Sequence, residues 1–371
     1  MQDAFITRIQ IEKVRHLQNI DIILSDTVRK HLILTGKNGC GKTSLLEAMR
    51  NNISFHQLPD ILIPPNSRDK SGVDISYSNN ILDYQNIIFI YISVERSKLV
   101  LPKSIEPMTI KEKTSVTHKA SKDFLKYILS MDYQLYGARS ENNTMLVTNL
   151  EKWFDSFLIA LREIYNCQNL ELIRDTKTLT FKIKLPGHEP FGLHEMADGY
   201  AAFLDIYIEL LMRFGGAYSL VKYDQPAIAM VDEIETHLHV ELQKQILPFL
   251  TRMFPNVQFI TSTHSPFVIT SLENAVVYDL EKKEQLDNPH FYSYETIVES
   301  FLGTNMYSNQ LKNYFDRYKE LCFKERTPEE NKEFLRAKTE LEIRSIPSSE
   351  LYIAFQNLEK QRKAAKNDSS N

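Results

Sequence analysis

At 371 residues and a formal net charge of −4, the chain has room for one large domain or two medium ones, and it is not a protein coated in basic residues. Its 43% hydrophobic and 25% charged fractions allow a sizeable core, while three cysteines (Cys40, Cys167, Cys322) are too few and too scattered for a disulfide framework or a CxxC metal knuckle. The start, MQDAFITRIQIEK, has no apolar signal core, and no stretch approaches the roughly 20 apolar residues of a membrane span, so the expectation is a cytoplasmic protein with no membrane partner.

In chain order, AFITRIQIEKV and IDIILS alternate or run apolar as short strands, and HLILT is an apolar run that stops at a glycine-rich loop. TSLLEAMRNNI then takes helical spacing. From about residue 51 to 169 the pattern loosens: a Pro-rich connection (LPDILIPPNS), a strand-like NIIFIYISV, and helices around SKDFLKYILSMDYQLYG and NLEKWFDSFLIALREIY. This region is expected to be a mostly helical lid or arm. Strands return at ELIRDTKTLTFKIKL, followed by the helix AAFLDIYIELLMRF, the strand AIAMV, the helix VELQKQILPFLTRMF, and the strands VQFITST and AVVYDL. Apolar strands alternating with helices predict a parallel sheet covered on both faces. Beyond about residue 285 the chain is charged and helical, with a frayed end.

Gly36-Lys37-Asn38-Gly39-Cys40-Gly41-Lys42-Thr43 fits GxxxxGK[ST] at every fixed position and lies between a strand and a helix, the context that gives this motif its meaning. Its glycines let backbone N–H groups converge on phosphate oxygens at a helix N-terminus. Gly36, Asn38, Gly39, Cys40, Gly41, Lys42, Thr43 and Ser44 are therefore the expected ATP-binding residues, with Lys42 reaching the β and γ phosphates and Thr43 ligating Mg²⁺.

Such a site needs a carboxylate at the end of a neighbouring strand, and Ala227-Ile228-Ala229-Met230-Val231 delivers Asp232 there as a Walker B ligand for Mg²⁺. Glu233 follows as a general base for the attacking water. The next strand ends at His264, placed to sense the γ phosphate, since ligands in such sheets bind beyond strand C-termini. Two other readings of VDEIETHLH stay open. Glu233, Glu235, His237 and His239 could gather round a transition metal, although histidines two apart point in different directions. The segment could also be an acidic helix start.

Together these residues resemble the ABC-type ATPase heads of the RecF, SMC and OLD class, and the entry ITRIQIEKVRHLQNIDIIL is similar to that class's N-terminal strands. The resemblance implies an α/β P-loop fold: a mostly parallel sheet with helices on both faces, an N-terminal antiparallel β subdomain, a helical lid insertion and a helical C-terminal region. The expected division is an ATPase head over 1–50 and 170–284, a lid over 51–169 and a C-terminal region over 285–371. It also implies a signature motif acting on the nucleotide of the other subunit, matched here by Met196-Ala197-Asp198-Gly199-Tyr200, with Ala197, Asp198 and Gly199 as its contact residues. Ala197 stands where a serine would offer a hydroxyl, which points to slow or gated turnover. Glu95 or Arg96, after NIIFIYISV, is expected at the Q-loop position.

The stretch Glu235-Thr236-His237-Leu238-His239 resembles the ExxLHP segment of OLD-like and PtuA-like ATPases, with Val240 in place of proline, which implies a place for the histidines at a subunit interface; ordinary helix capping is the alternative. That resemblance implies a homodimer or higher oligomer acting in antiphage defence beside a nuclease. The C-terminal region lacks both TOPRIM-like acidic clusters and HNH-like spacing, so an HNH-type nuclease is expected as a separate chain. From Arg96 to Lys126, Arg96, Lys98, Lys103, Lys111, Lys113, Lys119, Lys122 and Lys126 outnumber Glu106, Glu112 and Asp123. That excess either tracks a DNA or RNA backbone or is a solvated surface. A RecF-like repair ATPase and an ATP-gated scaffold with little hydrolysis are the alternatives.

Overall fold

The computed structural model describes residues 4–56, 71–78, 87–101, 119–175, 180–214, 225–303, 309–344 and 350–368. They divide into two compact units, Met1–Ser293 and Tyr294–Asn371.

The first unit is built on a six-stranded sheet in the order β12-β11-β3-β10-β9-β5. Its strands are β3 (His31–Thr35), β5 (Ile88–Ile92), β9 (Ala227–Val231), β10 (Val257–Ser262), β11 (Ala275–Asp279) and β12 (Glu284–Asp287). All neighbours pair in parallel except β12, which runs antiparallel to β11. β3, β9, β10 and β11 are buried along their whole length, which explains their near-continuous apolar sequence. A second sheet, β2-β1-β4, joins β1 (Ile6–Val14), β2 (Leu17–Ile23) and β4 (Val73–Tyr77) in antiparallel register. Helix α1 (Lys42–His56) fills the space between the two sheets. Its Leu45, Leu46 and Met49 share one core with Ile9, Ile11 and Ile22 on one side and Leu32, Leu34, Met230 and Ile260 on the other.

Gln258 closes the seam between these layers. Fully buried, it accepts from the Ile6 N–H at 2.7 Å and donates to the Ile6 and Lys30 carbonyls at 2.9 and 2.8 Å. A buried amide is stable here because both ends are bonded.

The helices α2 (Phe124–Ser140) and α3 (Thr144–Ile164) form the arm, with Trp153 stacked on Phe157 at 5.5 Å and Phe124 against Phe157 at 5.2 Å. They are followed by a small antiparallel sheet of β6 (Glu171–Asp175), β7 (Thr180–Lys184) and β8 (Phe191–Gly192). Helix α4 (Asp198–Phe214) is buried from Ala201 through Met212, and its Tyr207 meets Phe157 of the arm and Phe249 of α5 (Val240–Met253). A helix buried all round belongs to a core, which accounts for its apolar sequence.

Two strands differ from the expected division. β4 and β5 lie inside the 51–169 stretch expected to be a mostly helical lid, yet β4 completes the antiparallel sheet and β5 is the edge strand of the main sheet beside β9. The physical reason is that IFIYI is too short and too apolar for a solvated arm, and it buries Phe89, Ile90 and Ile92. The helical arm is therefore confined to α2 and α3. The first unit also continues past residue 284, through β12, to Ser293. The Pro-rich connection falls outside the described residues.

The second unit opens with a single helical turn (Tyr294–Thr296) and contains α6 (Asn309–Leu321), α7 (Pro328–Arg344) and α8 (Glu350–Asp368). Tyr318, Phe334, Leu341 and Phe355 form its core. Glu359 is buried within it. Burial raises the Glu359 pKa, but hydrogen bonds from Arg362, Tyr318 and Lys338 outweigh that effect and hold it at about 2.

His31, on β3, is buried and accepts from the Phe259 N–H at 3.0 Å through Nδ1. Burial, aided by the Arg29 charge, pushes its pKa down from 6.5 to about 4. The unfolded chain therefore takes up a proton that the folded chain refuses, and stability falls as pH drops from about 6.5 to about 4, by roughly 3 kcal/mol. Urea denaturation across this range is expected to show that loss, with a shallower slope for His31→Asn. An identical slope in both proteins would contradict the assignment.

Candidate functional site

β3, β10 and β9 are parallel neighbours in that order, so their C-terminal ends open on one edge of the sheet. The phosphate-loop sequence leaves β3 at this edge. Gly36, Gly39 and Gly41 have φ of 128°, 85° and 104°, which side chains resist. A Cβ on Gly36 would also lie 2.8 Å from Cys40 Sγ, and one on Gly41 would lie 3.0 Å from Leu17 Cδ1. The loop thus needs glycine for both conformation and space. Lys42, buried at the start of α1, points its ammonium back into the loop and donates to the Gly36 carbonyl at 2.9 Å and the Lys37 carbonyl at 3.3 Å. Thr43 is exposed at the first turn of α1, with Ser44 half-buried beside it. Asn38 and Gly39 lie exposed at the loop's tip, and burial pushes the Cys40 thiol up.

At the end of β9, Asp232 is 1% exposed. The Ser262 hydroxyl, at the end of β10, donates to Asp232 Oδ1 at 2.5 Å and accepts the Glu233 N–H at 2.7 Å. The chain then turns sharply: Glu233 adopts φ of 44°, a left-handed conformation uncommon for a residue with a side chain. Its carboxylate accepts from Thr236 Oγ1 at 3.3 Å.

His264 follows β10. Its N–H donates to Glu235 Oε1 at 2.6 Å, whereas its own Nε2 and the second oxygen of Glu235 are enclosed without a hydrogen-bond partner among the described residues. Burial and then the Lys42 charge lower the His264 pKa, against the opposing pull of Glu235 and Glu233. The imidazole is therefore neutral at neutral pH.

Met196-Ala197-Asp198-Gly199-Tyr200 sits at the start of α4, with Ala197 and Asp198 exposed and Asp198 paired to Lys98 at 2.6 Å. Gly199 packs against the turn after Asp232, where a Cβ would lie 3.2 Å from the His237 carbonyl. Of the two residues expected at the Q-loop position, Glu95 is exposed and Arg96 turns inward to the carbonyls of Asp232 and Glu233. His239 caps α5, its Nδ1 accepting from the Glu241 N–H at 3.4 Å. No cluster of His, Cys, Asp and Glu suited to a transition metal occurs among the described residues.

Three members of the basic stretch are paired among the described residues. Arg96, Lys98 and Lys119 pair with Asp232 and Glu233 carbonyls, Asp198 and Asp205 respectively. Lys103, Lys111 and Lys113 fall outside the described residues. Ser262, Glu235 as the partner of His264, and His16, whose Nε2 lies 3.0 Å from the Cys40 carbonyl, were not singled out by sequence motifs. Their roles arise from contacts between distant strands. Only the position of Ser262 next to the strand end before His264 offered a local hint.

The donor set suits a magnesium nucleotide. Mg²⁺ is commonly bound by one or two protein oxygens with phosphates supplying others, and Asp232 and the Thr43 hydroxyl are hard oxygen donors at this edge.

Residues 193–270, from just before the signature segment to just past His264, match the family described as "AAA domain, putative AbiEii toxin, Type IV TA system". Septu protein PtuA of Bacillus mycoides (strain KBAB4) is 23% identical over 341 residues, covering 85% of this chain and 47% of PtuA. The chain is thus similar in sequence to PtuA over most of its own length. A second relative, named "Retron Vc95 probable ATPase", from Vibrio cholerae serotype O1 biovar El Tor, is 40% identical over 65 residues, covering 17% of this chain and 13% of that protein. The PtuA-like chain thus spans about half the length of PtuA and less of the retron relative. Among solved structures, an SMC head bound to the C-winged helix domain of ScpA aligns with a TM-score of 0.42 and 12% identity, covering 78% of this chain and 100% of that one. No helix among the described residues is long and apolar enough to cross a membrane.

Ser262→Ala removes a buried donor and acceptor from the Asp232–Glu233 turn. Leaving those groups unsatisfied is expected to lower unfolding free energy by about 1–3 kcal/mol in urea titrations. An unchanged midpoint and slope would show that the turn does not depend on this hydroxyl.

Proposed function

We propose that this PtuA-like chain binds ATP with Mg²⁺ and hydrolyses it slowly, and that its nucleotide-dependent dimer regulates an effector acting on nucleic acid in antiphage defence. The observation that carries this reading is the gathering of Lys42, Asp232, Glu233 and His264 at the C-terminal edge of three adjacent parallel strands. Gly36, Asn38, Gly39, Cys40, Gly41, Thr43 and Ser44 line the loop that would cradle the phosphates, with Lys42 countering their charge. Asp232 and Thr43 would hold Mg²⁺, Glu233 would take the proton of the attacking water, and neutral His264 would offer a hydrogen bond to the γ phosphate. Exposed Ala197 and Asp198, with half-buried Gly199 beside them, would close on the nucleotide of a second copy, which is why a homodimer is proposed. Because Ala197 offers no hydroxyl there, slow turnover follows.

Similarity to PtuA and to the retron relative supports the defence role, and a separately encoded nuclease, of HNH type, is the proposed effector. DNA or RNA contact would come through that assembly rather than through Arg96, Lys98 or Lys119, which are engaged within the chain.

Titration with a fluorescent ATP analogue tests the loop first. Lys42→Ala is expected to lose affinity by about tenfold or more, because it removes the charge-assisted contact to the phosphates. Wild-type affinity in that variant would refute the phosphate-loop assignment.

A further inference from the structure

The turn that carries Glu233 is left-handed and therefore needs holding from outside its own sequence. Ser262 holds its front through the Asp232 carboxylate and the Glu233 N–H. Its back is held by Arg96. Nη2 of that guanidinium donates to the Asp232 carbonyl at 2.8 Å and to the Glu233 carbonyl at 3.0 Å, so that one donor group spans two successive peptide units. Nη1 donates to the Ser93 carbonyl, which anchors the arginine in its own loop. The geometry uses what distinguishes arginine from lysine, a planar and permanently charged group with several donors in fixed directions.

The two residues after Arg96 are tied to the signature helix. The Ser97 N–H donates to Asp205 at 3.2 Å, and Lys98 pairs with Asp198 at 2.6 Å. Asp205 is 1% exposed and also receives the Ser121 hydroxyl at 2.8 Å and the Lys119 ammonium at 2.9 Å, which docks the entry to the arm on α4. A short segment thus runs from the carbonyls behind Glu233 to the helix that begins at the signature.

We propose that Arg96 is a positioning residue for ATP hydrolysis, holding the Glu233 turn in its productive shape and making that shape depend on how the signature helix and the arm are seated. Arg96 binds backbone carbonyls, so its loss leaves the phosphate loop intact and acts through the orientation of Glu233. This effect on turnover rests on the ATPase reading above; the mechanical link between Arg96 and the turn does not.

The test compares Arg96→Gln and Arg96→Lys with the wild-type chain by steady-state ATP turnover, binding of a fluorescent ATP analogue, and amide hydrogen exchange. Arg96→Gln is expected to lower kcat by about tenfold or more with ATP affinity within about threefold, and to speed exchange of the Ile234 and Thr236 amides. Arg96→Lys, which keeps the charge without the fork, is expected to recover part of both. The proposal is overturned if exchange at those two amides is unchanged in Arg96→Gln. It is equally overturned if both variants lose exchange protection across the whole first unit together with ATP binding, which would mark a purely structural role. If the wild-type chain turns over no ATP, the ATPase reading fails, and the exchange result still decides whether Arg96 holds the turn.

Discussion

Ser262 joins two strands that lie far apart in sequence, and the functional edge of this protein depends on that junction. Its hydroxyl donates to Asp232 and accepts from Glu233, so the end of β10 fixes the two carboxylate-bearing residues that follow β9. The bond exists because β9 and β10 pair in parallel with Met230 beside Ile260 and Val231 beside Thr261. On its other side β10 pairs with β3, whose end becomes the phosphate-loop sequence. A one-residue slip between β9 and β10 would turn Ser262 away from Asp232. The geometry of this edge is therefore a consequence of sheet register, and register in turn is fixed by strands buried on both faces.

Charge inside this edge is handled by pairing rather than by exposure. Lys42 rests on loop carbonyls, Arg96 on the carbonyls behind Glu233, and Asp205 receives three donors while almost wholly buried. Burial lowers the pKa of His264 and keeps its imidazole neutral beside Lys42. The same rule governs the second unit, where Glu359 is buried with Tyr318, Lys338 and Arg362 around it. Each of these charges has two or more partners, and removing one would leave a charge stranded.

The parts of the site readable in the sequence are those whose reason is local. Gly36 and Gly41 are required by backbone conformation and by contacts a Cβ would make, so the phosphate loop announces itself in eight consecutive residues. Asp232 was legible because five apolar residues precede it as a buried strand. Arg96 and Ser262 were less legible, since their roles depend on residues 136 and 30 positions away. β5 was mistaken for part of a lid because a short apolar run carries no information about which sheet will receive it. Whether the basic excess near the arm is a polyanion track or a solvated surface is not legible in the sequence, because the pairing of Lys98 with Asp198 and of Lys119 with Asp205 depends on residues of α4 far along the chain.

The central claim is that Glu233, held at this edge opposite the phosphate loop, removes the proton from the water that attacks ATP. Single-turnover phosphate release with Mg²⁺, compared between the wild-type chain and Glu233→Gln at saturating protein, tests it most directly. The account predicts that the variant binds ATP with near wild-type affinity and releases phosphate about a hundredfold more slowly or worse. Equal release rates in the two proteins would contradict it.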